Sequence, residues 1–199
     1  MAKNFLNVDP GLNINPQSSA PSNPKNGDMY YDSTLNQIRI YVNGSWRSAI
    51  GSTPAVFTAV RSTNQTGVNT NNSEIKVAFN SALIDTRSGF NTTTNQYTVQ
   101  SGDDGYLVFS LAIAPLNTNI LSGRHDIRIY KNGSIVGQSH NPAFAAGVGE
   151  ILTLTTQVLD CVAGDVIEAR FFGSPNNSAS TLTIQSATQV TFFSGRRIN

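Results

Sequence analysis

The 199-residue sequence predicts an all-β fold: a sandwich or barrel of about eight to ten short strands, preceded by a small N-terminal module. Three observations carry that expectation. Segments rich in β-branched and aromatic residues recur at short spacing, punctuated by Gly, Asn or Pro. No segment sustains a 3.6-residue apolar stripe over ten or more positions, which an amphipathic helix requires. Hydrophobic residues make up 39% and charged residues 13%, so Asn, Ser, Thr and Gly fill the balance, a composition that suits short strands joined by polar turns.

The elements follow in order. Residues 1–22 hold Pro10, Pro16 and Pro21 among Asn, Gln and Ser. Proline removes amide donors and fixes φ, so an extended arm is expected and a helix is not. A flexible linker has no use for Phe5, Leu6, Val8, Leu12 and Ile14, so these read as anchors for a surface of another chain; a disordered N-terminus is the alternative.

Residues 23–50 read as a three-stranded β-meander. Met29–Asp32 is its first strand and Ser33–Asn36 a turn. Ile38, Ile40 and Val42 then alternate with Arg39 and Tyr41, the period-two pattern of a half-buried strand. Asn43-Gly44 is a strong two-residue hairpin signal, because both central residues of a type I′ turn need positive φ, and Trp46 lies on the return. Three strands this short bury too little surface to be stable alone, so a partner is expected to complete them. Ile50–Pro54 reads as a hinge.

From residue 55 onward the strand signals are AVFTAV, EIKVAF, QYTV, YLVFSLAIA, DIRIYKNGSIV, EILTLTTQVL, DVIEARFF, TLTIQS and QVTFFSG. The echo of IYVNGSW (40–46) in IYKNGSI (129–135) comes from two hairpins with the same turn chemistry. No longer period supports a solenoid.

Composition narrows function. A formal charge of +1 leaves no basic face for nucleic acid; Arg196 and Arg197 read as a solvated end. No apolar run approaches a membrane span, Cys161 is the one cysteine, and residues 1–10 lack a signal-peptide layout, so folding in a reducing cytoplasm is expected.

Two resemblances add to this reading. Phe90–Val99 (FNTTTNQYTV), Gly102–Ser110 (GDDGYLVFS), Ile129–Val136 (IYKNGSIV), Leu159–Ile167 (LDCVAGDVI) and Phe192–Ile198 (FFSGRRI) resemble, in order and spacing, a C1q-type globular domain. The resemblance implies an antiparallel jelly-roll sandwich of the TNF/C1q type over 55–199 that assembles as a homotrimer. Tyr106, Phe109 and Phe193 are assigned to its core and trimer contact. The chain departs from the family in lacking a collagen-like stalk and in having Gly-Asp-Asp-Gly where a proline-containing turn is usual. The stretch PKNGDMYYDSTLNQIRIYVNGSW is similar to a short module near the ends of bacteriophage fibre and appendage proteins, through Gly27, Asp28, Tyr30, Tyr31, Asp32, Asn36, Tyr41, Asn43, Gly44 and Trp46. Together they imply a structural protein of a bacteriophage virion, a trimeric fibre or appendage knob at the virion surface that is fixed by its N-terminal arm and made in the host cytoplasm. Phe5, Leu6, Tyr30, Tyr31, Tyr41 and Trp46 would fix it to another virion protein (capsid, portal/neck or tail). A capsid decoration protein and a carbohydrate-binding module are the alternatives, and a host glycan or protein is a further candidate partner.

Catalytic chemistry finds little footing. Cys161 has no recognisable helper and reads as a buried thiol, while His125 and His140 read as surface residues in turn-rich surroundings. Asp103, Asp104 and Asp126 could gather calcium, but Asp-Asp between glycines is ordinary turn chemistry. No enzyme and no cofactor are expected. The amide-rich loops Ser62–Ser73 and Ser174–Ser180 are candidates for sugar contact, with no residue singled out.

Overall fold

A computed structural model describes residues 14–49, 54–68, 73–117, 123–142, 150–175, 182–186 and 190–198, and no helix occurs among them. The chain divides into two units, Met1–Thr53 and Pro54–Asn199. Phe5, Leu6 and most of the expected hinge (50–53) lie outside the described residues.

The first unit contains β1 (Pro16–Gln17), β2 (Met29–Asp32), β3 (Gln37–Val42) and β4 (Ser45–Ser48), in that sheet order. The meander β2-β3-β4 forms as expected, but the sheet has four strands. The arm supplies the fourth: Pro16 and Gln17 pair in parallel with Tyr31 and Asp32. Proline is tolerated there because β1 is an edge strand. Asn43 and Gly44 have φ of 51° and 84°, both positive as a type I′ turn needs.

The second unit is a sandwich. Its strands are β5 (Val56–Val60), β6 (Gln65–Val68), β7 (Glu74–Lys76), β8 (Ser81–Asp85), β9 (Phe90–Asn91), β10 (Gln96–Thr98), β11 (Gly105–Ile113), β12 (Pro115–Asn117), β13 (Gly123–Lys131) and β14 (Ser134–Pro142). They continue with β15 (Leu152–Thr155), β16 (Leu159–Cys161), β17 (Val166–Pro175), β18 (Leu182–Ile184) and β19 (Phe192–Ile198). One sheet runs β15-β11-β19-β5-β8, with β16 also on β11. The facing sheet runs β14-β13-β17-β10-β9, with β7 also on β17, and β12-β18-β6 form a small third sheet.

Alternation explains the core. From the first sheet Phe57, Leu107, Phe109, Leu111 and Phe193 point inward; from the second come Tyr97, Ile127, Ile129, Ile167 and Phe171, all essentially inaccessible. At the centre Phe57 stacks on Tyr97, centroids 4.2 Å apart, and meets Phe193 edge-on at 5.0 Å. Burial, followed by the carboxylates Asp103 and Asp85, pushes the Tyr97 hydroxyl up to about 12.

Two motifs far apart in sequence hold each other. The Asn132-Gly133 turn (φ 50° and 81°) sits beside the turn entering β17. Asn132 donates through Nδ2 to Asp165 Oδ1 at 2.7 Å and accepts from the Val166 amide at 2.8 Å. Lys131 Nζ lies 2.8 Å from Asp165 Oδ2, which also accepts from the Val162 amide. The K-N-G and G-D motifs are thus one linked corner of the sandwich.

Candidate assembly face and ionic face

The predicted site residues fall in different places. In the first unit Tyr30 is buried and meets Trp46 edge-on at 4.7 Å, and Tyr41 meets the same indole at 5.3 Å. Tyr30 Oη donates to Asp32 Oδ2 at 2.9 Å, and Asp32 Oδ1 accepts from the Thr34 and Leu35 amides, fixing the β2–β3 turn. These amide bonds, chiefly that from Leu35, hold the Asp32 carboxyl below its ordinary range. Tyr31 Oη donates to Asn36 Oδ1. Tyr30, Tyr41 and Trp46, named for docking, therefore pack on one another within this unit, with Tyr41 and Trp46 left half-buried.

In the second unit Phe109 and Phe193 lie wholly inside the protomer. They are spent on the sandwich and are not surplus for a trimer contact. Tyr106 is 60% exposed and is no part of that core, because it has the outward parity of Val108 and Ser110. His125, read as a surface residue, is instead buried, with its ring 5.4 Å from that of Phe171. It shares the inward parity of Ile127 and Ile129, and burial lowers its pKa, with Asp126 opposing. His140 is half exposed. Cys161 is buried and its thiol is pushed up by burial.

The three aspartates are separately committed. Asp103, fully buried, takes Arg87 through Nε at 2.9 Å and Nη2 at 2.8 Å. Asp104 accepts from the Ala163 amide, the main reason its pKa is lowered. Asp126 belongs to the network below. Among the described residues no group of three His, Cys, Asp or Glu could hold a metal. The loop expected at Ser62–Ser73 is described except for residues 69–72, and of Ser174–Ser180 only the backbone of 174–175 is described.

The two outer faces of the sandwich differ in chemistry. On the β15-β11-β19-β5 sheet, the pairing places Thr155, Ser110, Ser194 and Thr58 in one row across four strands. Ser110 Oγ and Thr155 Oγ1 are 3.1 Å apart. Val108 and Val56 flank Arg196 in the next row, and a shallow groove follows these residues. Asp160, beside Tyr106, is a further charge at one end of this face.

The facing sheet presents ion pairs. One row reads His140, Asp126, Phe172, Glu74; the next reads Gln138, Arg128, Arg170, Lys76; the third places Tyr130 beside Glu168 and Gln96. Arg128 bridges Glu74 and Asp126, Arg170 bridges Glu74 and Glu168, and Lys76 Nζ lies 2.8 Å from Glu168 Oε2. Burial alone would raise both glutamates. For Glu74, hydrogen bonds from Tyr130, Arg128 and Arg170 outweigh it; for Glu168, those from Lys76, Gln96 and Arg170 do, so both pKa values are lowered. Arg170 lies over the Tyr130 ring at 4.3 Å, and Arg124 and Arg128 lie over Phe172 at 5.4 and 5.1 Å. Sequence reasoning missed this network, though the alternating Asp126, Arg128 and Glu168, Arg170 marked a charged face on each strand.

Solved structures share the fold. The globular domain of zebrafish complement 1qA is similar over 73% of this chain and 98% of its own, at 16% identity and a TM-score of 0.51. Eiger TNF from S. frugiperda is similar over 73% and 92%, at 11% and 0.51; murine APRIL at pH 5.0 over 73% and 99%, at 9% and 0.50. No protein-family model and no curated protein matches the sequence. The fold is an all-β jelly-roll sandwich of the C1q/TNF type.

Proposed function

We propose that the protein is a structural component of a bacteriophage particle. Residues 55–199 act as a knob that assembles as a homotrimer, and residues 1–50 fix it to another virion protein. The observation that carries the assembly is the contrast between the outer faces. Charged residues are depleted from the centres of protein interfaces, and the row Thr155, Ser110, Ser194, Thr58 is uncharged, whereas the opposite face is built of ion pairs that suit solvent. The C1q/TNF-type fold supports the trimer through the resemblance given above. The virion role rests on the phage-type motif of residues 23–46 and on the division into two units. A small sheet whose second strand leaves Met29 47% exposed suits a module completed by a partner. The role is non-catalytic, with the host surface as the partner of the knob's free end.

Light scattering of the full chain at micromolar concentration is expected to give three chains per particle, and Ser110→Glu to give folded monomers. A wild-type monomer sinks the trimer. Imaging of purified particles with the knob labelled is expected to place it on the virion, on a tail appendage or as a head decoration. Its absence from particles sinks the virion role.

A further inference from the structure

One end of the ionic network differs from the rest. Asp126 is fully buried, yet four side chains converge on it: Arg124 Nη2 at 2.9 Å, Arg128 Nη2 at 2.7 Å, His140 Nδ1 at 2.7 Å and Gln138 Nε2 at 3.2 Å. Arg128 is itself nearly covered and shared with Glu74. The side chains of Arg124 and His140 remain 49% and 55% exposed. The counter-charge is therefore hidden while the guanidinium and the imidazole face water. Over the whole network Lys76, Arg124, Arg128 and Arg170 oppose Glu74, Asp126 and Glu168, a net charge of 4 − 3 = +1 before His140 is counted.

The donors are also oriented. A carboxylate only accepts, so the 2.7 Å contact places a proton on His140 Nδ1 and turns Nε2 to another partner. Arg124 spends Nη2 on Asp126 and lies over Phe172, which holds the plane of its fork and leaves further N–H groups for a second anion. The three strands carrying these residues, β13, β14 and β17, all have an end here.

We propose that Arg124 and His140, seated on buried Asp126, form a recognition site for an acidic saccharide. Arg124 receives the sugar carboxylate, and His140 Nε2 hydrogen-bonds a neighbouring hydroxyl, which can both donate and accept. The site needs only the folded knob and does not depend on its place in a particle.

The test is calorimetric titration of the full chain with sialyllactose, with a sulfated dextran oligosaccharide that carries no carboxylate, and with neutral lactose. Sialyllactose is expected to bind and lactose not to. Arg124→Gln should weaken binding roughly tenfold or more, as loss of a charge-assisted pair implies, and Arg124→Lys should also weaken it because the fork is lost. His140→Ala should weaken it less, and Lys25→Gln not at all. The melting curves of all variants should overlay that of the wild type, since Arg128 still pairs with Asp126. No binding of sialyllactose at about 10 mM, a level that would detect even millimolar affinity, overturns the proposal. So does binding that Arg124→Gln leaves unchanged, or binding of the sulfated oligosaccharide alone, which would mean diffuse charge attraction.

Discussion

Gly195 is the position where the packing makes its sharpest demand. It lies in β19 between the rings of Phe57 and Phe109. A Cβ built on it would come within 2.5 Å of Phe57 Cε1, 2.5 Å of Phe109 Cδ1 and 2.7 Å of Phe109 Cε1. Neither ring can step aside freely: Phe57 is held by Tyr97 at 4.2 Å and Phe193 at 5.0 Å, and both rings are fully buried. Gly195→Ala should therefore overpack a filled core at a cost of about 1–3 kcal/mol. For a domain of this size that corresponds to roughly 3–10 °C in melting temperature. The backbone contributes nothing to the cost, because Gly195 does not have a positive φ, so the penalty is purely steric. Thermal melts followed by circular dichroism, at matched chain concentration because assembly shifts the midpoint, would measure it. A variant that melts within about 1 °C of the wild type would mean the aromatic cluster is looser than described, and the steric argument would fall.

The other predictions draw on different physics. A Cβ built at Gly44 or Gly133 meets no atom within 4 Å, so Gly44→Val and Gly133→Val should each cost chiefly the backbone strain of a positive φ, on the order of 1–2 kcal/mol. Their consequences should separate: Gly133→Val lowers the knob's melting temperature, while Gly44→Val impairs particle docking and leaves that melt unchanged; equal loss in the melt would refute the two-module reading. Acid should destabilise the fold in two stages. His125 has a lowered folded pKa, so stability is complete above its unfolded value near 6.5 and falls as pH drops below it. Glu74 and Glu168 are also lowered, so their contribution is present above about pH 4.5 and is lost as pH falls through their folded values. Melts from pH 8 to pH 3 test this, and His125→Asn should flatten the first stage.

Much of this was legible in the sequence where the cause is local. Asn43-Gly44 and Asn132-Gly133 announce their turns because few dipeptides accept positive φ twice. The strand-dense remainder announces a sandwich because alternation admits few other packings. What needed the structure was pairing over distance. The parallel contact of Pro16–Gln17 with Tyr31–Asp32 leaves no periodicity in a two-residue strand. The grip of Asn132 on Asp165 joins residues 33 apart that the motif order alone does not bring together. Two placements were of another kind, since parity already decided them. His125 alternates with Arg124, Asp126 and Arg128 and falls in step with Ile127 and Ile129, so a strand there had to turn it inward. Tyr106 falls out of step with Leu107, Phe109 and Leu111, so it had to turn outward.

Parity carried one step further bears on assembly. An isolated sandwich exposes both outer faces to the same water, and nothing in its folding asks them to differ. Here β5, β11, β15 and β19 turn Thr58, Ser110, Thr155 and Ser194 outward, whereas β7, β13 and β17 turn out Glu74, Lys76, Asp126, Arg128, Glu168 and Arg170. The first set can be desolvated cheaply, because each hydroxyl both donates and accepts and so finds a partner on an apposed copy. The second set cannot, since covering it would strip water from several coupled charges at once. The hydroxyl row is therefore fit to be buried against another protein surface, with Arg196 and Asp160 outside it, and the ionic face is fit to stay wet. In the proposed trimer that difference would orient the protomer, with the hydroxyl row facing inward and the end of the ionic network at Arg124 and His140 left facing solvent.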